Sequence, residues 1–190
     1  MCIRDSANDH SMLGALARAA YPAQPNRVLW LLLVAGVLVL AFRRAGRAAR
    51  AGDDLVGFTL TGLAGCLVSP ISWGHHLVWI VPALVVLLDV ATGAAPAGGA
   101  ARAHPRITAR AAGAGAVVVA AISCSSLPWY FVRSNGGQPP RSDLVGVLGQ
   151  DVYVFLLLAL VALLPARAQE ARPEPAAELS ERAARGAGRS

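Results

Sequence analysis

The 190-residue chain is 55% hydrophobic and only 15% charged, with a mean hydropathy of +0.52; soluble domains carry about 25% charged residues, so this is the composition of a membrane protein. The net charge of +6 rests on 17 basic residues, all arginine, which lie mostly between apolar runs. That placement argues against a nucleic-acid-binding domain, which would cluster them with aromatics, and fits membrane topology signals.

In chain order, the opening "MCIRDS", residues 1–6, has neither the basic start and apolar core of a signal peptide nor a helical pattern. It reads as a non-native start, with the natural protein expected to continue upstream and this piece to be inactive alone. Residues 7–27 are expected to be extracytoplasmic. Residues 28–165 hold five apolar segments, about Val28 to Phe42, Leu55 to Ile71, Leu77 to Ala95, Ala111 to Val132 and Leu144 to Pro165. Most approach the roughly 20 residues that cross a bilayer core. The fifth contains Gln150 and Asp151, so its membrane helix is expected to begin at Val152 after an interfacial turn. Residues 166–190, a mixture of Pro, Ala, Glu and Arg without an apolar stripe, read as a disordered cytoplasmic tail. The predicted fold class is all-α, a polytopic transmembrane helical bundle of about five spans.

Orientation follows from retention of positive charge in the cytoplasm. Arg43, Arg44, Arg47 and Arg50 follow the first segment, Arg102, Arg106 and Arg110 the third, and Arg167, Arg172, Arg182, Arg185 and Arg189 the fifth, and these loops alternate consistently. Arg4, Arg18, Arg27, Arg133 and Arg141 fall on the opposite face. The stretches "DHSMLGALARA", "SPISWGHH" and "RSNGGQPPRSD" therefore share the extracytoplasmic side. Asp53 and Asp54, beside four arginines, are expected to be solvated, and Asp89 to reach the interface.

The chemistry-bearing stretch is "SPISWGHHLVWIVP", Ser69 to Pro82. Pro70 disfavours helix at Ser69 and ends the second segment, and Trp73 and Trp79 suit the interfacial belt. His75 and His76 stand where a helix enters the membrane, a place that favours an anion such as phosphate. Imidazoles there can donate hydrogen bonds or move a proton; equally, two interfacial histidines can simply face water. Adjacent helical residues point about 100° apart, so the pair need not share one ligand, and it is no metal or haem signature. Cys2, Cys66 and Cys124 have no CxxC or Cys/His spacing, and no metal site or cofactor is expected. Asp151 with Gln150 is a candidate cavity-lining group at the outer face, and Asp9 a weaker candidate base. Arg133 and Arg141 bracket "SNGGQPP"; they either place a guanidinium on an anionic ligand or anchor an ordinary polar loop. Ser123, Ser125 and Ser126 are expected to bond their own helix backbone.

Over fourteen residues, Ser69, Pro70, Ile71, Ser72, Trp73, His75, His76, Trp79 and Pro82 resemble the S-P-I-S-W-x-H-H-x-x-W-x-x-P pattern of family 87 of the glycosyltransferases. These are bacterial membrane enzymes of the GT-C fold that use polyprenyl-phosphate sugars and include actinobacterial mannosyltransferases and arabinofuranosyltransferases. Upstream, "DHSMLGALAR" is similar to the family's N-Q-S-L-x-G stretch, keeping Ser11, Gly14 and Arg18 but with Asp9 and His10 where Asn and Gln are usual. The resemblance implies a polyprenyl-phosphate sugar donor entering from the membrane lipids. It implies a hexosyl, mannosyl or pentosyl residue transferred to a glycolipid or polysaccharide acceptor of the cell envelope. Donor-phosphate and substrate contacts are implied at His75, His76, Ser72, Trp73, Ser11, Asp9, His10 and Arg133, and a general base in a first outer loop that this sequence does not contain. No nucleic-acid partner, metal or cofactor is implied. The competing reading is a permease subunit or polytopic scaffold; the Gly/Pro breaks fall at the membrane boundary rather than in paired repeats at midplane, which favours the enzyme.

Overall fold

The computed structural model of the chain describes residues 9–93, 106–125, 127–134 and 144–167. Among them are helices and no strand: α1 Met12–Ala20, α2 Arg27–Arg50, α3 Asp54–Val68, a 3-10 turn Gly74–Trp79 that runs into α4 Ile80–Thr92, α5 Arg106–Cys124, α6 Leu127–Ser134, α7 Leu144–Gln150 and α8 Val152–Leu163. Side-chain caps set three of the starts. Ser11 Oγ accepts from Gly14 N at 3.1 Å, Asn26 Oδ1 from Val28 N and Leu29 N at 3.0 and 3.1 Å, and Asp53 Oδ1 from Val56 N at 3.2 Å. Pro70 stops α3, whose C-cap Ser69 is already extended at φ −53°, ψ 138°.

α3 is the centre of the bundle, packed on α2, α4 and α8. α2 meets it through a seam of small side chains, Val37, Ala41, Ala45 and Ala48, all buried at helical spacing. The apolar stretch of α2 from Val28 to Phe42 is otherwise largely uncovered, with Val28, Leu32, Val39 and Phe42 exposed, the surface a lipid-facing helix presents. α4 and α5 form a second pair, with Ala83, Val86 and Val90 of the one and Ala112, Ala116 and Val119 of the other buried and with Leu87 beside Gly115 and Ala91 beside Gly113.

Among the described residues, two helical stretches are long and apolar enough to cross a membrane, Arg27–Arg50 and Gly74–Thr92, and a third is added if α7 and α8, bent by 67° at Asp151, form one broken span. The expected five spans are thus corrected to two or three. The reason is local: α3, capped by Asp53 and stopped before Pro70, has 15 residues and reaches about 22 Å at 1.5 Å per residue, against a hydrocarbon core of about 30 Å. The fourth segment likewise yields a shorter apolar helix, Thr108–Cys124. In the fifth segment a helix of 12 residues does begin at Val152, but the short helix Leu144–Gln150 precedes it in place of the expected interfacial turn.

One end of the bundle is closed by charge. Arg167 donates from its backbone N and from Nη2 to Asp53 at 2.7 Å each, and from Nη1 to Asp89 Oδ2 at 2.6 Å. Arg44 of α2 donates to the carbonyls of Val161 and Leu164 at the end of α8, replacing partners the last helical turn lacks. Asp53 is completely buried, which corrects its expected solvation: it caps α3 and faces a guanidinium, so water is not needed to hold its charge. Asp54 is exposed as expected. Arg167 is docked rather than part of a free tail; residues 168–190 lie outside the described residues.

Candidate functional site

At the opposite end, residues 69–79 fold into a compact turn held from below. Ser72 Oγ donates to the Cys66 carbonyl at 2.6 Å and Cys66 Sγ to the His76 carbonyl at 3.1 Å, so the end of α3 carries both ends of the turn. Trp73 N–H donates to His76 Nδ1 at 3.2 Å. A neutral imidazole that accepts at Nδ1 carries its proton at Nε2 and offers that N–H outward. His75 and His76 are both exposed, with ring centroids 4.3 Å apart at 70°, and Trp73 lies 6.0 Å from His75. The rings meet edge to edge although neighbours on a 3-10 turn diverge by about 120°, so the contact comes from how the two side chains fold back on the turn.

The rings border an open pocket of about 350 Å³ whose walls include Gly62, Gly65, Ser69, Ser72 and Trp79. Gly62 is required here, since a Cβ at that position would fall inside the Trp79 indole; its absence lets the ring lie flat on α3. The described lining has hydroxyls, imidazoles and an aromatic wall but no carboxylate; its hydroxyls and imidazole N–H groups can donate to an anion, and a neutral imidazole can also take a proton. Among the described residues no His, Cys, Asp and Glu group could hold a metal ion.

Beneath the turn is a buried polar layer. Asp9 and Ser11 are fully buried and His10 nearly so. Asp9 Oδ1 accepts from Ser11 N at 2.9 Å and from Ser72 N at 2.8 Å, and His10 N donates to the Ser72 carbonyl at 2.6 Å. Arg18, on the inward face of α1, donates from Nη1 to the Asp9 carbonyl at 2.8 Å, from Nε to Asp151 Oδ1 at 2.8 Å, and from Nη2 to the same oxygen. The His10 ring stands edge-on to Tyr153 with centroids 5.0 Å apart. Burial first, then the Arg18 charge, lower the His10 pKa to about 4, against a smaller opposing pull from Asp9, so His10 is neutral at neutral pH.

The structure thus brings Asp9, His10, Ser11, Ser72, Trp73, His75 and His76 into one region, the first four as a buried support and the last three as its outer surface. The side chain of Arg133 and all of Arg141 lie outside the described residues. Asp151 is buried against Arg18 at the α7–α8 bend. Ser125 Oγ bonds its own helix, at the Ile122 carbonyl, 2.8 Å, whereas Ser123 Oγ, expected to do the same, is buried without a partner among the described residues, and Ser126 lies outside them. Sequence reasoning missed Arg18 as the residue that joins α1 to the bend. Its signal was present: one arginine in the otherwise apolar run "MLGALARAA" either faces water or needs a buried partner.

No family model matches the chain, and no solved structure matches it significantly. It is 38% identical over 86 residues to the polyprenol-phosphate-mannose-dependent alpha-(1-2)-phosphatidylinositol mannoside mannosyltransferase of Mycolicibacterium smegmatis, covering 41% of this chain and 19% of that protein. To the protein of the same description from Mycobacterium tuberculosis it is 38% identical over 82 residues, 42% of this chain and 18% of that protein. A longer match, 32% identical over 169 residues, is to the polyprenol-phosphate-mannose-dependent alpha-(1-2)-phosphatidylinositol pentamannoside mannosyltransferase of Mycobacterium tuberculosis, covering 88% of this chain and 36% of that protein. The chain spans about a fifth to about a third of the length of these relatives. The similarities support a glycosyltransferase family and, with the apolar helices, a membrane protein.

Proposed function

We propose that the chain supplies the donor-phosphate side of an integral membrane mannosyltransferase, of the family 87 and GT-C type, that uses a polyprenyl-phosphate mannose donor. In this reading an acceptor hydroxyl of a phosphatidylinositol-mannoside-type glycolipid attacks the anomeric carbon. The bond from that carbon to the phosphate oxygen breaks, polyprenyl phosphate leaves, and the acceptor proton passes to a base outside the described residues. Negative charge grows on the departing phosphate, and donors already aimed at it favour the transition state over the ground state. His76, with Nδ1 engaged by Trp73 N–H and Nε2–H free to donate, and His75 beside it are those donors; Trp73 and Trp79 flank the point where the lipid-borne group arrives, and Ser72, Ser11, Asp9 and His10 hold the turn from behind.

The observation that carries the reading is the pair of exposed imidazoles in edge contact at the rim of the pocket, in a chain similar to polyprenol-phosphate-mannose-dependent enzymes. The extracytoplasmic placement of the histidine turn and the cytoplasmic placement of the Arg167 end belong to the same proposal. Their support is that Asp53, Asp89 and Arg167 meet at one end while Asp9, Ser72 and Asp151 meet at the other, the alternation the arginine-rich loops imply. A photoactivatable polyprenyl phosphate added to membranes holding the full protein is expected to label the peptide containing residues 69–79, with labelling suppressed by polyprenyl-phosphate mannose. Labelling confined to other peptides would contradict it.

A further inference from the structure

We propose that Asp9 is a positioning residue: its Oδ1, acting as a hydrogen-bond acceptor and not as a charge, fixes the turn that carries His75 and His76. The inference rests on the reading of those histidines as the donor-phosphate site.

The histidine turn is attached to segment 9–11 at a single residue, Ser72, through both of its backbone groups. Its N–H donates to Asp9 Oδ1 at 2.8 Å, and its carbonyl accepts from His10 N at 2.6 Å. The same Oδ1 takes the Ser11 N–H at 2.9 Å. Asp9, Ser11 and Ser72 are all at zero exposure, so removing that oxygen strands two buried backbone donors at once, and such groups recover partners only by moving toward water. Only Trp73 and Gly74 separate Ser72 from His75. Trp73 N–H is also the group that sets the His76 tautomer. Movement at Ser72 therefore passes straight to both imidazoles.

Asp9 is itself held. Its carbonyl accepts from Arg18 Nη1 at 2.8 Å, and Arg18 is paired with buried Asp151. Its carboxylate is pressed against α1 where Gly14 has no side chain; a Cβ there would lie 2.8 Å from Oδ2 and 2.6 Å from the Asp9 carbonyl. Oδ2 makes no hydrogen bond to any described residue, and both donors on Oδ1 are neutral backbone amides. Those two hydrogen bonds need only an acceptor, and an amide oxygen serves them equally well.

The test compares Asp9→Asn and Asp9→Ala in the full protein by two readouts, hydrogen exchange of the peptide covering residues 69–79 and mannosyl transfer from polyprenyl-phosphate mannose. Asp9→Asn is expected to keep wild-type exchange protection and kcat/KM within about threefold, while Asp9→Ala exchanges faster and loses up to about a hundredfold, the scale of a small misplacement of a binding group. Unchanged exchange in Asp9→Ala would overturn the proposal. So would an Asp9→Asn variant as impaired in transfer as Asp9→Ala, since Asp9 would then act through its charge; this comparison decides even if Asp9→Ala fails to accumulate. Faster exchange in Asp9→Ala with undiminished transfer would uphold the attachment and instead refute the phosphate role of the histidines.

Discussion

Arg167 Nη2 lies 2.7 Å from Asp53 Oδ1, although the two residues are 114 positions apart. That contact, with the Asp89 bond at 2.6 Å, ties the residues after α8 to the α2–α3 junction. The hydrogen bonds Arg167 donates to the two aspartates, Asp53 first, raise its pKa further against the opposing effect of burial, so the guanidinium stays charged. Breaking a buried pair by removing one partner costs about 3–5 kcal/mol, since the other charge is left uncompensated. Arg167→Ala is expected to destabilise the detergent-solubilised protein by about 3–5 kcal/mol, read as a lower thermal midpoint, and adding Asp53→Asn to recover part of it. Asp89→Ala should cost less, because the Asp89 side chain is 28% exposed and water screens its pair. Equal effects of the two single variants would contradict this ranking.

His10 gives the fold a pH dependence with a definite sign. Its folded pKa of about 4 lies below the ordinary 6.5, so below pH 6.5 the unfolded chain binds more protons than the folded one. The stabilising contribution of the buried neutral ring is complete above pH about 6.5 and is lost as the pH falls through about 4, with an order of magnitude of about 3 kcal/mol. Unfolding midpoints measured from pH 7 to 4 should fall in the wild type, and His10→Gln should flatten that part of the profile. A wild-type profile unchanged by the substitution would show that His10 titrates normally.

Gly62 and Trp79 test the pocket wall. Gly62→Ala puts a methyl group where the indole now lies, and overpacking of this kind costs about 1–3 kcal/mol. Trp79 emission is expected to shift as the ring is pushed outward, and Trp79→Ala should relieve the penalty in the double variant. Additive losses would mean that the two residues do not share that contact.

Reporter fusions test the orientation. A fusion after Gly52, between α2 and α3, and one after Gly137 are expected to report opposite compartments, cytoplasmic and extracytoplasmic respectively; the same compartment for both would refute the proposed topology.

The sequence made the apolar helices and the break at Pro70 legible, because a run of Val, Leu and Ala is a local signal and proline acts on its immediate neighbour. It also marked the histidine turn, whose residues are contiguous. It overstated the number of spans, because the caps at Asp53 and before Pro70 cut α3 to 15 residues, and an apolar run alone does not reveal where a cap will act. The two polar clusters were not legible as clusters. Asp53 meets Arg167 across 114 positions, Arg18 meets Asp151 across 133, and Asp9 meets Ser72 across 63. Such pairs leave no periodicity, and Asp53, beside four arginines, looked solvated. A local hint did exist, since an aspartate just before an apolar run is an N-cap pattern, and a cap can be buried.

The most direct test of the phosphate site is the initial rate of mannosyl transfer against donor concentration for the wild type, His75→Ala and His76→Ala, in membranes containing equal amounts of the full protein. Donors aimed at a developing phosphate charge are worth about 10²-fold each in rate. The account predicts that at least His76→Ala lowers kcat/KM for the polyprenyl-phosphate donor by about that factor, with membrane insertion and acceptor KM unchanged. Wild-type kinetics in both variants would contradict it.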